Sequence, residues 1–235
     1  MPIMLPYTKP PLPSDLKVWW EMKESSGDAV DSVGGNNALQ QGTVPSVTLG
    51  GKKCRGDYTH SNYFNFPTAM LNSGLIYQLG NIWSLEFDIW MNTYTEGYAG
   101  LVLWEDAINS RGFDLSTNSS SPAIRNYIVA NRSPLNYIVA NRSPLNYLVG
   151  AGSIAWGFNS WNNVAIVSDG TYVKTYINNF LSNSEQLSQG TGYVAFTITM
   201  GRIGYWPANS SSLANGYFKN IKIWNTAKTH FPTVV

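Results

Sequence analysis

Apolar and polar residues alternate with a period of two along most of the chain from Asp15 onward. In residues 172–177, Val173, Thr175 and Ile177 alternate with Tyr172, Lys174 and Tyr176, so a strand there buries one set and wets the other. An apolar-rich strand at 161–168 precedes it. The intervening Asp169-Gly170 suits a type I′ turn, because Gly tolerates positive φ and Asp tolerates it better than most residues. Asn178-Asn179 predicts a second tight turn that sends the chain back. The same pattern predicts strands at 18–22, 63–66, 83–92, 100–104, 111–115, 196–200 and 216–224, with Phe218, Ile221 and Ile223 in the core. Residues 25–37, rich in Ser, Gly, Asp and Asn, read as a loop. A helical period is hard to find, and 67–79 has room for one short helix. Many short strands at this spacing predict an all-β sandwich.

The ends and the middle depart from this rhythm. Residues 1–13 carry five prolines, which lack an N–H and favour extended backbone, so residues 1–14 read as an arm. Pro6, Tyr7, Pro10, Pro11 and Pro13 are its candidate anchor residues for docking on another subunit. Residues 15–229 form the expected domain and 230–235 a tail. Residues 126–135 recur unchanged at 136–145, and Asn146-Tyr147-Leu148-Val149 begins a third copy. Identity over ten residues speaks for a recent duplication rather than an old solenoid. The extra copy lengthens a hairpin or bulges into a loop, with Pro134 and Pro144 barred from central ladder positions.

Composition narrows the function classes. Only 12% of the 235 residues are charged, against about 25% in an average globular protein. Asn, Ser and Thr supply the polarity instead. A formal net charge of +1 argues against nucleic acid or an anionic membrane as a partner found by bulk electrostatics. Cys54 is the single cysteine, so no intrachain disulfide forms. The first residues lack a basic region followed by an apolar stretch, and the expectation is a protein made in a cytosol.

With the strands placed, the chain resembles the laminin G-like family of the concanavalin A-like lectin/glucanase superfamily. Leu16-Lys17-Val18-Trp19-Trp20, Glu24-Ser25-Ser26-Gly27 and Asp31-Ser32-Val33-Gly34 look like its opening strand and Asp-Ser-x-Gly loop. Gly50-Gly51-Lys52 with Tyr63-Phe64-Asn65-Phe66, and the run from Trp83 to Met91, are similar to the strands that follow. The run from Trp161 to Asn178 matches a Trp-x-x-Val-Ala and Tyr-x-Asn-Gly hairpin, with Asn179 in place of the usual Gly. Met200-Gly201-Arg202-Ile203-Gly204 and the run from Gly216 to Asn225 resemble the closing strands. The tandem decapeptide has no counterpart in that pattern. The resemblance implies a two-sheet antiparallel jelly roll over residues 15–229.

Candidate chemistry is sparse. Glu86-Phe87-Asp88-Ile89-Trp90-Met91 is similar to the Glu-x-Asp-x-x-Glu of β-glucanases in the same superfamily. Glu86 and Asp88 share a strand face, but Met91 stands where the second Glu belongs, and a thioether neither donates a proton nor attacks as a carboxylate. The family resemblance implies calcium at the sandwich rim, for which Asp28 and Asp31, with Asn36 and Asn37, offer oxygen ligands; the same side chains also cap turns. No other cofactor is implied. His60 and His230 are too few for a zinc site. Arg55-Gly56-Asp57 spells a known adhesion tripeptide, and three residues match by chance often. Trp19, Trp83, Trp161 and Trp224 read as core. Tyr205, Trp206, Asn209, Trp156 and Tyr94 fall in loops or at strand ends, where aromatic faces stack on sugars and Asn satisfies hydroxyls.

Three functions compete. The first is a non-enzymatic structural or adhesive protein of a virus particle, most simply a bacteriophage capsid decoration, fibre or tail component. It would be made in the host cytoplasm and meet other virion proteins through the arm. The second is a free lectin-like module for cell-surface glycans, and the third a glycan hydrolase using Glu86 and Asp88. A second copy of the chain is a further candidate partner.

Overall fold

In a computed structural model, the structure describes residues 11–71, 82–92, 101–104, 112–118, 121–129, 147–149, 157–186, 200–206, 211–212 and 215–231. The predicted alternation is realised as strands that pair antiparallel throughout. The larger sheet joins β1 (Leu16–Trp20), β3 (Ser46–Leu49), β4 (Lys52–Gly56), β6 (Ile82–Met91), β11 (Trp161–Asp169), β12 (Tyr172–Ile177), β13 (Phe180–Gln186) and β17 (Gly216–Trp224). Its order is β13-β12-β11-β6-β17-β4-β3, with β1 also on β17. The second sheet runs β10-β9-β8-β7-β14-β5-β2. Its strands are β2 (Leu39–Gln41), β5 (Tyr63–Asn65), β7 (Leu101–Trp104), β8 (Gly112–Asn118), β9 (Ser121–Val129), β10 (Tyr147–Val149) and β14 (Met200–Ile203). A small ladder pairs β15 (Tyr205–Trp206) with β16 (Ser211–Ser212). This is the expected two-sheet antiparallel β-sandwich.

The core fills the space between the sheets. Leu85, Phe87, Ile89 and Met91 of β6 meet Val164 and Ile166 of β11, Phe218, Ile221 and Ile223 of β17, and Phe64 and Ile203 of the second sheet. Phe87 and Phe218 pack edge-on at 5.5 Å, and Trp20 meets Phe66 at 4.9 Å. Each such side chain contributes ~1.5–3 kcal/mol by leaving water. Phe218, Ile221 and Ile223 are core residues, as the pattern predicts.

Several local expectations are corrected. At Asp169-Gly170 only Gly170 has positive φ, at 86°, so the turn is not type I′. Instead, Asp169 Oδ1 accepts the N–H groups of Thr171 and Tyr172 at 2.9 and 2.7 Å, which shapes the turn through the side chain. Both Asn178 and Asn179 have positive φ, at 50° and 69°, and they form the two-residue turn with I′ character. Trp19 and Trp161 alternate with the buried Val18, Trp20 and Asn162, so neither joins the sandwich interior, and Trp20 takes the core place instead. Where 67–79 has room for a short helix, Thr68–Met70 forms a 3-10 turn, and residues 72–79 lie outside the described residues. Of the strand expected at 196–200 only Met200 is among the described residues, and it opens the strand Met200–Ile203. In the repeat region, β10 pairs with β9 through Tyr147↔Ile128 and Val149↔Asn126, joining the third copy to the first; residues 130–146 lie outside the described residues. At the other end, Phe231 is buried against Ala165, Val167 and Tyr176 on the sheet's far side.

Arg55 is wholly buried and clamps the long loop before β2 and the segment after it. Its guanidinium donates to Val44 O from two nitrogens at 3.2 and 2.8 Å, to Gly27 O at 3.1 Å, and to Gln40 Oε1, while lying over the Phe64 ring. The adhesion-like tripeptide therefore begins with an inaccessible side chain. Arg55→Met should cost on the order of 3 kcal/mol in urea unfolding, because buried acceptors lose their only strong donor. A change below about 0.5 kcal/mol would show that the clamp is dispensable.

Candidate functional site

The far face of β6 carries a closed charge network. Glu86 and Asp88 alternate with Leu85, Phe87 and Ile89 and so point away from the core, yet they are only 2% and 4% exposed. Lys222 Nζ sits 3.4 Å from Glu86 Oε1, and Lys219 Nζ 3.3 Å from Asp88 Oδ2. Asn163 on β11 donates one amide to both, at 3.3 Å to Glu86 and 3.1 Å to Asp88, and Asn220 donates to Asp88 at 2.8 Å. Lys219 and Lys222 are three apart and would normally face opposite ways. A bulge between them, with Asn220 at φ 52°, brings both to the same side. Trp161 closes the flank, with Lys219 Nζ 4.7 Å above its ring, its Nε1–H on Leu49 O at 3.0 Å, and Trp90 at 5.7 Å. Burial pushes the Lys219 ammonium pKa down, and Asp88 opposes this without cancelling it. Cys54 is buried in β4, and burial pushes its thiol up to about 11, so it stays an inert thiol.

The calcium candidates are placed apart from each other in role. Asp31 Oδ1 accepts the N–H groups of Trp19 and Val33 at 2.9 and 3.0 Å, and Oδ2 those of Gly34 and Asn36 at 3.0 Å each. A cation at Asp31 would have to displace these donors. Asp28 is exposed and accepts the Gln40 N–H at 2.8 Å. Asn37 serves the same loop by accepting the Asp31 N–H at 2.9 Å. Among the described residues no group of three or more His, Cys, Asp or Glu side chains is arranged to hold a metal ion.

Of the predicted sugar-facing aromatics, Tyr205 is well placed. It lies in β15 rather than in a loop, half-buried, with its ring 5.0 Å from that of Tyr63 on β5. Arg202 of β14 joins them, its guanidinium carbon 4.9 Å from the Tyr63 centroid and 5.3 Å from that of Tyr205. Arg202 alternates with the buried Ile203, so its side chain leaves the core. Register pairs Arg202 with Asn65 and Tyr63 with Gln41, which puts two neutral amides on the same face. The bend that returns Tyr205 to Tyr63 is Gly204, at φ 88°, where a Cβ would run into the Tyr58 ring. Trp206 is described in backbone only, and Asn209, Trp156 and Tyr94 lie outside the described residues. So do Pro6, Tyr7 and Pro10, whereas Pro11 and Pro13 are exposed, non-strand residues ahead of β1. Sequence reading missed Arg202 and Tyr63. Arg202's outward position in its strand was legible, but Tyr63 reaches it only across the β5–β14 ladder.

No protein-family model and no curated protein sequence matches the chain. Solved structures do. Domain 4 of AbnA, a GH43 extracellular arabinanase from Geobacillus stearothermophilus in complex with arabinotriose, is similar with a TM-score of 0.65 at 15% identity, covering 91% of this chain and 93% of that one. The receptor-binding domain of the botulinum neurotoxin C/D mosaic serotype is similar with a TM-score of 0.63 at 15% identity, over 91% of this chain and 48% of that one. Trypanosoma rangeli sialidase in complex with 2,3-difluorosialic acid is similar with a TM-score of 0.60 at 11% identity, over 92% of this chain and 31% of that one. The chain thus spans about half of the toxin domain and a third of the sialidase. These likenesses show the fold, a β-sandwich domain of the kind found in these proteins.

Gly204→Ala tests how Tyr205 is placed. Positive φ and the Tyr58 contact together should destabilise the fold by at least ~2 kcal/mol in urea unfolding. A neutral substitution would show that the bend has room to relax.

Proposed function

We propose that the chain is a non-catalytic, lectin-like carbohydrate-binding module whose sugar-facing surface is centred on Tyr63, Arg202 and Tyr205. The observation that carries this reading is the half-buried tyrosine pair, flanked by Asn65 and Gln41 on one sheet face. Tyrosine rings offer apolar faces to the C–H face of a sugar, and neutral amides serve its hydroxyls. The similarity to a domain solved with arabinotriose supports the same reading. Against hydrolysis stand the nearly complete burial of Glu86 and Asp88 and the ammonium group beside each. A general acid must reach the glycosidic oxygen with a proton to give, and a closed ion pair offers neither.

The laminin G-like resemblance is the finer reading of the same sandwich; its opening strand, its hairpin and its last strand fall in the larger sheet, and Met200–Ile203 falls in the second. We also propose that the module serves on a virus particle, that of a bacteriophage, as a capsid decoration, fibre or tail component that touches host glycans. The Asn/Ser/Thr-rich β composition, the single inert Cys54 and the proline-rich opening support this placement. Assembly in the host cytoplasm and attachment through Pro6, Tyr7, Pro10, Pro11 and Pro13 belong to the same proposal.

On a glycan array, the wild-type protein should bind at least one saccharide class, and Tyr205→Ala should weaken that binding about tenfold or more. An array without signal would contradict the reading. The protein should release no reducing ends from a panel of β-glucans; release abolished by Glu86→Gln would make it a hydrolase. Deleting residues 1–13 should free the protein from its particle with the fold intact, and persistent attachment would show that the arm is not the anchor.

A further inference from the structure

The two arginines whose side chains the structure describes are treated in opposite ways. Arg55 makes four hydrogen bonds to three acceptors. Among the residues whose side chains the structure describes, Arg202 has no hydrogen-bond acceptor and no carboxylate partner, and its Nε is a buried donor without a partner there. A guanidinium carries five N–H donors in a fixed plane. The rings of Tyr63 and Tyr205 lie over its carbon, and that contact stabilises the cation without using any N–H. What remains is the N–H edge, and leaving such an edge unmet costs free energy.

The surroundings select the acceptor. Asn65 and Gln41, which share the face, are neutral. The register Arg202↔Val102 and Val102↔Asp114 places an acidic position two strands away, about 10 Å at the usual strand spacing. Among the acids whose side chains the structure describes, none pairs with the fork; Asp114 is described in backbone only. A carboxylate matches it through two parallel charge-assisted bonds, whereas a sugar hydroxyl offers one weaker bond. Contact with both rings, whose centroids lie 5.0 Å apart, holds the guanidinium against the tyrosine pair in advance, so little side-chain freedom is lost on binding.

We propose that Arg202, held against the Tyr63–Tyr205 pair, is a carboxylate-recognising subsite, and that the module's ligand carries an acidic sugar, a hexuronic or a sialic-type residue. This inference rests on the glycan-binding reading and specifies its ligand class. The tyrosines and amides contact the sugar body, and Arg202 selects for its charge.

The test is calorimetric titration of the full chain with matched pairs of oligosaccharides. One pair ends in glucuronate or in glucose; the other ends in sialate or in the same sugar with its carboxyl reduced to an alcohol. The acidic member of at least one pair should bind about tenfold tighter, and the preference should shrink as salt rises. Which pair responds separates the two sources of the carboxylate. Arg202→Lys keeps the charge but loses the planar fork, and it should erase most of that preference between the acidic and the neutral member. The wild-type comparison needs no variant, so a misfolded Arg202→Lys protein would leave the test intact. Equal affinity for both members of each pair would overturn the carboxylate subsite and leave glycan binding standing. Failure to bind any member, or an Asp/Glu-rich peptide that binds Arg202 where no member does, would overturn the acidic-sugar ligand, and the glycan array decides glycan binding separately.

Discussion

Two carboxylates on the central strand of the larger sheet are nearly removed from water, and the strands on either side must answer them. Glu86 and Asp88 each need an ammonium group from β17 and share one amide from β11. Desolvating such charges costs several kcal/mol per ion, which their mutual attraction offsets only when geometry and hydrogen bonds are good. A one-residue slip of β17 in either direction would put Ile221 or Ile223 opposite Glu86 in place of Lys222 and strand that carboxylate. The network is therefore better read as a register lock across β11, β6 and β17 than as a source of net stability. With those three strands fixed, Phe87, Phe218 and Ile166 meet in the core beneath them.

That lock also supports the proposed non-catalytic reading of a carboxylate pair with a glycosidase-like spacing in sequence. Lysine partners and flanking tryptophans close the face that a substrate would have to enter. The second sheet is arranged differently. Near one edge Tyr63 and Tyr205 are half-exposed, Arg202 has no acceptor among the described side chains, and a glycine bend across Tyr58 sets the last ring in place. One sheet spends its charges on structure; the other keeps a cation available.

Period-two alternation made most strands legible, because Leu85, Phe87 and Ile89 can face one core only if Glu86 and Asp88 face away. It also found the last strand and its buried Phe218, Ile221 and Ile223. It failed where backbone conformation breaks the period. Asn220 adds one residue to β17 in a left-handed conformation, so Lys219 and Lys222 share a face that spacing assigns to opposite sides. Turn chemistry was misassigned for a similar reason: Asp169 acts through its carboxylate, while Asn178-Asn179 supplies the positive φ pair. The candidate site was half legible. Tyr205 stood out as an aromatic near a strand end, but its partners come from strands whose adjacency only the fold reveals.

Recognition on the smaller sheet is the central claim, and it is most directly tested by where a saccharide touches the protein. Backbone amide shifts should be followed by NMR while a binding oligosaccharide is titrated into isotope-labelled protein. The account predicts perturbations concentrated at Tyr63, Asn65, Arg202, Gly204 and Tyr205, with the amides of Glu86, Asp88 and Asn163 unmoved. Perturbations centred on Glu86, Asp88 and Asn163 would contradict it and return the larger sheet to consideration as the functional face.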